Sequence, residues 1–276
     1  MVTALDLNAG LGTLLKDWRE RRRLSQLALA LDAGISARHL SFIETNRSKP
    51  GRDVLLRITA RLEVPLRERN QLLLAAGFAP AVPELSLEDA ALTPLREVLN
   101  VILTAHEPNP AIVVDRHWNL VAANSPMTFL GRLIDPGLLE PPVNAMRVGL
   151  HPKGLGQWIV NLAEARAYFL GRLERQVAVT GDPVLASLLE EVAAYPCPEA
   201  AHDAVDTWDP HGILTPQFRV RLPEGGELAC FATVLTFGTA AEVTASELSI
   251  ELGFPADSFT ADFLRTNFGP PASQGG

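Results

Sequence analysis

The sequence predicts two domains, a five-helix α domain followed by an α+β domain. Three observations lead to this fold class. The chain of 276 residues is 47% apolar, which is enough for two hydrophobic cores. Apolar side chains recur at helical spacing over residues 1–80, and β-branched runs with the spacing of strands follow. The proline-containing segment 79–83 separates the two patterns and is the predicted domain boundary.

The first domain is predicted to contain five short helices. Ser25, Ser36 and Asp53 stand where a side-chain oxygen can accept the free N–H groups of a first helical turn. Gly34 and Gly77 stand where a helix ends and the backbone needs positive φ. The predicted helices cover residues 11–22, 25–33, 36–45, 54–62 and 66–76.

The second and third of these helices form a distinctive pair. Gly34 allows a tight turn between them, and the small Ala30 allows one helix to cross closely over the other. The apolar side of the pair is predicted to consist of Leu27, Leu31, Ile35, Leu40 and Ile43. This arrangement is a helix-turn-helix, which predicts DNA binding.

The charge distribution agrees with DNA binding although the chain as a whole carries −8. Residues 1–80 hold 13 Lys and Arg against 8 Asp and Glu, a net charge of +5. The other residues hold 11 against 24, a net charge of −13. Phosphate neutralisation needs positive charge only where the duplex is contacted, so we expect the acidic part to lie away from DNA.

The second domain is predicted to be a one-sheet α+β domain. Two β-branched hairpins, helices between them and a last helix near residues 260–266 support this class. The stretch before that last helix is polar and is assigned no strand. The predicted helices cover residues 92–105, a segment from Ser125, 155–177 with Trp158, and 183–195 capped by Asp182; the predicted hairpins cover 111–124 and 213–237.

The segment SQLALALDAGISARHLSFIETNRSKPGRDVLLRITARLEVP resembles the XRE (lambda-repressor-like) helix-turn-helix family. Thr45 and Asn46 depart from the glycine turn that is more frequent there. The similarity covers residues 11–77 and implies a five-helix DNA-binding domain over residues 1–80. The matching positions are Gln26, Ala30, Gly34, Ile35, Leu40, Ile43, Glu44 and Pro50.

The following sequence resembles the MmyB-type regulators, in which a PAS-like ligand-binding domain follows such a DNA-binding domain. The segments PAIVVDRHWNLVAAN and NAMRVGLHP, the helix with Trp158, Asp182-Pro183 and later Trp208 carry this similarity. It implies a ligand-controlled transcription regulator with its sensor domain over residues 81–270. It implies no particular ligand, and the tail 271–276 is predicted to be disordered.

Candidate DNA contacts lie on and around the helix that Ser36 begins. The pairs Ala37/Ser41 and Arg38/Phe42 have i, i+4 spacing and share the face opposite Leu40 and Ile43. Arg38 could bond guanine, although a solvated surface position is the alternative, and Phe42 could instead pack within the domain. The candidate residues are Gln26, Ser36, Ala37, Arg38, His39, Ser41, Phe42, Asn46, Arg47 and Lys49.

One such domain buries too little surface for tight specific binding, so we expect a homodimer on an inverted-repeat operator. The rival hypothesis is an adaptor or antitoxin that uses the helical domain against a protein. An apolar outward face over residues 36–45 would favour that rival, whereas Arg38, His39 and Ser41 favour DNA.

The predicted sensor domain holds candidate linings for an apolar pocket. A small apolar ligand of the fatty-acyl type is the favoured hypothesis. For each candidate aromatic residue, ordinary core packing is the alternative. The candidate ligand-binding residues are Phe129, Trp158, Phe169, Phe231 and Phe237.

Other functional classes find little support. No GxSxG, Walker A or GxGxxG motif occurs, and no enzyme activity or cofactor is predicted. The Asp and His residues of segment 202–211 could supply metal ligands, but a solvated loop is favoured. Cys197 and Cys230 fit thiols in a reducing cytoplasm. Neither a secretory signal nor a membrane span is predicted, so we expect a cytoplasmic protein.

Overall fold

The structure is a computed structural model that describes residues 10–197, 217–238 and 240–269. These residues divide into two compact units. The first unit comprises residues 10–86, 175–186 and 240–246, and the second comprises residues 87–174, 187–197, 217–238 and 247–269.

Five helices precede residue 80, as the sequence predicts. Apolar side chains at helical spacing meet in one core, in which Trp18, Leu29, Leu40, Ile58 and Leu72 are buried. The helices are α1 (Leu11–Arg21), α2 (Gln26–Asp32), α3 (Ala37–Glu44), α4 (Arg52–Arg61) and α5 (Leu66–Ala75).

Further along the chain, helices alternate with strands. The helices are α6 (Thr93–His106), α7 (Ser125–Gly131), α8 (Ala145–Leu150), α9 (Leu162–Thr180), α10 (Pro183–Ala193), α11 (Val243–Ser246) and α12 (Ser258–Phe268). The strands are β1 (Ala111–Val114), β2 (Leu120–Ala123), β3 (Gln217–Arg221), β4 (Glu227–Thr236) and β5 (Ser249–Pro255). The predicted combination of an α and an α+β region is therefore confirmed.

The predicted serine caps of the helix-turn-helix are formed. The Oγ atoms of Ser25 and Ser36 accept hydrogen bonds from the N–H groups of Ala28 and His39, each at 3.1 Å. The predicted cap at Asp53 is wrong. The chain is still extended at Gly51, which is the N-cap residue, so Asp53 lies in the first turn of α4, where its charge favours the helix dipole.

The turn after α2 has the predicted left-handed glycine, but the packing of α2 differs from the prediction. Gly34 has a φ of 67°, and the N–H of Ile35 donates to the carbonyl of Ala30 at 2.9 Å. Leu27 and Leu31 are 60% and 70% exposed, so their prediction as core residues is wrong. They lie one helical turn apart, away from the face through Leu29 that enters the core.

The first unit also contains residues 240–246, which include α11. Val243 is fully buried, and its N–H donates to the carbonyl of Pro83 at 3.0 Å. A carboxylate oxygen of Glu242 accepts a hydrogen bond from the N–H of Leu85 at 2.9 Å. Residues just after the predicted boundary are therefore held by a segment from much later in the chain.

The five described strands form one antiparallel sheet with the order β2-β1-β5-β4-β3. The central strand β5 pairs with β1 on one side and β4 on the other. The sequence prediction missed this strand, because the stretch before the last helix was assigned as polar. Ile250, Leu252 and Phe254 do alternate with more polar or smaller residues, as they do in a strand with unlike faces.

The two faces of the sheet have different surroundings. On one face, Val113 of β1 and Ile250 of β5 pack against Leu99 and Leu103 of α6. The opposite face carries Cys230 of β4 together with its cross-strand partner Phe218 of β3. This second face is the one that positions the cavity described below.

The predicted helix 155–177 is wrong at its beginning. Residues Leu155–Gln157 form one 3-10 turn, and α9 begins only at Leu162. The residues between them pair with β3: Ile159 forms a bridge with Val220, and the N–H of Val160 donates to Arg219 at 2.8 Å. The predicted strand residues 213–216 and the tail 271–276 lie outside the described residues.

Candidate DNA interface and ligand cavity

The helix α3 presents a polar outward side and an apolar inward side. Leu40 and Ile43 are buried, whereas Arg38 is exposed. The guanidinium carbon of Arg38 lies 5.3 Å from the ring centroid of Phe42, one turn later, so this ring supports the arginine side chain. Ala37, His39, Ser41 and Phe42 are half-buried.

A buried ionic network fixes α3 relative to α1 and α2. The guanidinium of Arg19 donates to both carboxylate oxygens of Glu44, at 2.7 Å and 2.9 Å. The side-chain amide of Gln26 donates to the same carboxylate at 2.8 Å. The hydrogen bonds to Glu44 raise the pKa of Arg19, although burial opposes this. The side chain of Gln26, a candidate phosphate contact, is thus hydrogen-bonded to the last residue of α3.

The loop after α3 is held on the start of α1. Asn46 adopts a left-handed conformation with a φ of 57°, and its side-chain oxygen accepts the N–H of Gly12 at 2.9 Å. A Cβ atom at Gly12 would lie 2.3 Å from the carbonyl oxygen of Ile43, so only glycine permits this close crossing. Arg47 and Lys49 follow on this loop and are exposed.

Several other basic side chains of the first unit bond backbone carbonyls. The Nε atoms of Arg57 and Arg61 donate to the carbonyls of Ala33 and Asp32, at the end of α2. The Nε atom of Arg22 donates to the carbonyl of Leu62 at 2.9 Å.

The structure brings the candidate DNA contacts into one region. Nine of the ten lie on α3, at its cap or on the following loop. The tenth, Gln26, is joined to α3 through its hydrogen bond to Glu44.

An apolar cavity of about 260 Å³ lies in the second unit. Its floor is the sheet face that carries Phe218 and Cys230. Helices α7, α8, α9 and α12 contribute Met127, Met146, Phe169 and Leu264 to its walls, among others. Burial is the main cause that raises the pKa of the Cys230 thiol to about 11, with the charge of Asp257 adding to it.

The cavity includes two of the five aromatic residues selected from the sequence. Phe129 lies on α7, and Phe169 of α9 stacks on Phe218 at a centroid distance of 5.2 Å. Phe231 directly follows Cys230 on β4, so its side chain lies on the opposite face, stacked on Phe254.

Trp158 and Phe237 also lie outside the described cavity wall. Trp158 lies between the 3-10 turn and α9, and its indole N–H donates to the carbonyl of Leu133 at 2.8 Å. Phe237 packs against the core between α6 and the sheet. Both aromatic residues therefore have packing roles in this structure.

One charged side chain of the described cavity wall, Glu251, is part of an ion pair. Its carboxylate oxygens accept two hydrogen bonds from the guanidinium of Arg172, at 2.8 Å and 2.9 Å. Arg172 lies with its guanidinium carbon 4.5 Å from the ring centroid of Trp118. Burial lowers the pKa of Arg172, but its bonds to Glu251 outweigh this, so the net shift is upward.

A second, polar cavity of about 520 Å³ adjoins the apolar one. Ala123, Phe129 and Phe268 contribute to both cavities. Glu107 and Arg132 line the polar cavity, and Glu107 accepts a hydrogen bond from the hydroxyl of Ser125 at 2.7 Å. The candidate metal ligands of segment 202–211 and Trp208 lie outside the described residues.

A helix-turn-helix unit together with a cavity-bearing α+β unit defines a DNA-binding protein with a ligand-binding domain. Residues 15–69 match the family described as helix-turn-helix, and residues 95–266 match the family described as MmyB-like transcription regulator ligand binding domain. The chain therefore belongs to the MmyB-like transcription regulators, and the two resemblances identified from the sequence are confirmed.

Comparisons with individual proteins add little to this assignment. None of the curated proteins matches the chain. A solved structure described as an RNA-binding Light-Oxygen-Voltage receptor is 16% identical, with 94% of this chain and 61% of that chain covered. The chain thus spans less than two thirds of that protein, and the TM-score of 0.23 supports no structural argument. Among the described helices, none is both long and apolar enough to cross a membrane.

Proposed function

We propose that this regulator binds DNA sequence-specifically and that a small apolar ligand, of the fatty-acyl type, modulates its DNA binding. The apolar cavity carries the proposal. Its size is close to that of small-molecule sites, and its described wall is apolar apart from a few groups such as Tyr168 and Glu251. We propose Phe129 and Phe169 as ligand contacts.

The DNA contacts are proposed from the exposed side of α3. We propose that Arg38 makes a two-point contact with a guanine and that Ser41 and His39 make further base or phosphate contacts; the exposure of Arg38 on α3 supports this. Arg47 and Lys49 are proposed to contact phosphates, because both are exposed on the loop that follows α3. Asn46 supports that loop through its bond to Gly12.

The domain organisation, the oligomeric state and the location of the protein are also proposed. We propose a DNA-binding part over residues 1–80 and a PAS-like sensor part over residues 81–270, for which the single antiparallel sheet is the support. We also propose a homodimer on an inverted repeat, because one helix-turn-helix can bury only a small surface. A cytoplasmic location is proposed as well, since two cysteine thiols fit a reducing compartment.

A glycine in the cavity wall offers a direct test. Gly149 lines the cavity, and a Cβ atom added there meets no atom within 4 Å. The G149L variant should fold, because leucine is also a better helix residue than glycine, yet its side chain should compete with a ligand. Gly238, outside the cavity wall and equally unhindered, provides the matched control G238L.

The measurement combines native mass spectrometry with DNA-binding titrations of the full chain. We expect an apolar molecule to co-purify with the wild type and with G238L but not with G149L. We also expect DNA affinity to fall steeply with salt and to change on ligand removal. Equal occupancy in all three proteins would place the ligand elsewhere, and a salt-independent response would favour the protein-adaptor hypothesis.

A further inference from the structure

Helix α9 belongs to both structural units. Its residues up to Glu174 lie in the second unit, and its residues from Arg175 to Thr180 lie in the first. Within the second unit, Phe169 of α9 lines the apolar cavity and stacks on Phe218. One continuous helix thus carries a cavity residue in its middle and ends among the residues of the first unit.

The end of α9 is hydrogen-bonded to α1 within the first unit. The carbonyl of Thr180 has no further turn of α9 to bond, and it accepts a hydrogen bond from Nη1 of Arg21 at 2.9 Å. A guanidinium at this position also favours the helix dipole, because the C-terminal end of a helix is its negative end. Arg21 is the last residue of α1, so the bond joins two helix ends.

Gly181 leaves room for this contact. It has a φ of 68°, a conformation that a residue with a Cβ atom adopts only at a cost. A Cβ atom at this position would lie 2.5 Å from Nη1 of Arg21, so the guanidinium would have to move. The backbone directly after α9 therefore accommodates the Arg21 side chain in its observed position.

Arg21 lies on the helix that holds α3. Its guanidinium carbon is 5.4 Å from the ring centroid of Trp18, which is fully buried in the core of the first unit. Arg19, on the same helix, bonds both carboxylate oxygens of Glu44 at the end of α3. A displacement of α1 therefore acts directly on the helix that carries the proposed base contacts.

The helix α9 is suited to carry a displacement from the cavity to α1. A ligand changes DNA binding only if it favours one of two arrangements of the protein, and contact with Phe169 can favour one position of α9. From Phe169 to Thr180 the helix rises by about 16 Å without interruption. Leu173 and Val177 are buried along this stretch, so the helix moves against a packed surface rather than freely in solvent.

We propose that α9 transmits ligand occupancy of the cavity to the DNA-binding helices, and that Arg21 is the positioning residue of this coupling through its bond to Thr180. The inference rests on the proposed function, because it assumes that a cavity ligand modulates DNA binding. It goes further by naming the contact on which the modulation depends. Linkage requires that DNA changes the ligand affinity by the same factor as the ligand changes the DNA affinity.

The test measures this factor in the full-length protein freed of bound lipid. Affinity for an operator selected by the wild type is titrated with and without saturating dodecanoate. We expect the two Kd values to differ at least about fivefold in the wild type and to become nearly equal in R21Q. Calorimetry should show that R21Q still binds dodecanoate. A merely structural role of Arg21 would lower thermal stability and leave the factor unchanged.

R22Q is the matched control for the loss of charge. The guanidinium carbon of Arg22 lies 5.5 Å from the same Trp18 ring, but its nitrogens donate to the carbonyls of Leu62 and Glu63. R22Q should therefore keep the wild-type factor. Its loss in R22Q as well as in R21Q would assign the effect to charge or to packing on Trp18 and would overturn the role of the bond to Thr180.

A second pair of variants leaves Arg21 itself in place. G181A and G225A both put a Cβ atom on a left-handed residue, with φ values of 68° and 96°. Only the Cβ atom at Gly181 would meet the guanidinium of Arg21, whereas the one at Gly225 meets no atom within 4 Å. G181A should therefore reduce the factor, and G225A should not. Thermal unfolding checks that each variant is folded.

Hydrogen exchange of the wild type provides a measurement that needs no variant. Dodecanoate should change the exchange of amides at the end of α9 and in α1, and unchanged exchange in both would overturn the inference. If R21Q and G181A keep the wild-type factor, the inference alone is overturned and the proposed function stands. If dodecanoate does not bind, or binds without changing the DNA affinity of the wild type, the proposed modulation is overturned and the inference with it.

Discussion

Arg19 and Glu44 form a two-point ion pair between α1 and α3, with Nε to Oε1 at 2.7 Å and Nη2 to Oε2 at 2.9 Å. The Glu44 side chain is 1% exposed, and it also accepts a hydrogen bond from Gln26 at the start of α2. One carboxylate thus bonds side chains from the other two helices and fixes the orientation of α3, on which the proposed base contacts lie.

Glu44→Ala should destabilise the protein by about 3–5 kcal/mol, because it leaves the buried guanidinium of Arg19 without its partner. The double variant R19M/E44L should lose much less stability, since both charges are removed and apolar side chains fill their space. Urea unfolding followed by far-UV circular dichroism measures both. Equal losses in the two variants would show that packing, rather than the unpaired charge, determines the cost.

Arg38→Ala and Arg47→Ala should affect DNA binding in different ways. Loss of Arg38 should relax the preference at one base position by about 1–3 kcal/mol, because a two-point base contact is removed. Loss of Arg47 should weaken binding to all sequences alike and reduce the salt dependence, because a phosphate contact is removed. Titrations against single-base operator variants compare the two. Unchanged affinity ratios in Arg38→Ala would contradict base recognition by this residue.

Glu63→Gly should stabilise the first unit by about 1 kcal/mol, because a left-handed conformation is costly for residues with a Cβ atom. Glu63 follows α4 with a φ of 49°, is exposed, and uses its backbone carbonyl rather than its side chain to bond Arg22. Glu63→Ala keeps the strain and serves as the control. A higher urea midpoint in Glu63→Gly but not in Glu63→Ala is the expected result; equal midpoints would contradict it.

Cys230 should react slowly with iodoacetamide at mildly alkaline pH. Burial in the cavity wall raises the pKa of its thiol from 9.0 to about 11, so little of the reactive thiolate exists below that pH. The rate should rise as the pH approaches 11 and should fall further when a ligand occupies the cavity. Peptide mass spectrometry with urea-unfolded protein as the control gives the rate. Folded and unfolded protein reacting alike would rule out the buried, cavity-lining position.

The helix-turn-helix was predictable because its determinants are local. Ser25, Gly34 and Ser36 each act within a few residues of their own position, so capping and turn rules locate them from the sequence. The orientation of Leu27 was mispredicted although the helix was correct. A helix this short contains few apolar positions, and the buried face is decided by α3 and α4 rather than by α2 itself.

The cavity depends on contacts between distant segments and was predictable only in part. Phe231 was selected for its aromatic ring, but strand alternation turns it away from the face on which Cys230 lies. The missed strand β5 supplies Glu251, the charged residue of the described cavity wall. Its hydrogen-bond partner, Arg172, lies 79 residues earlier, so no local pattern indicates the pair. Alternation of Ile250, Leu252 and Phe254 was the available signal for β5.

Glu191→Gln should make the protein less sensitive to acid. Arg147 bonds both carboxylate oxygens of Glu191, at 2.7 Å and 2.8 Å, and is the main cause that lowers the pKa of Glu191 below its ordinary 4.5. A lowered carboxyl pKa contributes stability above pH 4.5 that is lost as the pH falls through the folded-state pKa. The wild type should therefore lose more thermal stability on acidification than Glu191→Gln. Solvent screening keeps the difference small, since both side chains are about two-fifths exposed.

Melting temperatures from neutral pH to below pH 4.5 measure the effect, with Glu190→Gln as the neighbouring control. Parallel curves for all three proteins would mean that the ion pair contributes nothing in solution.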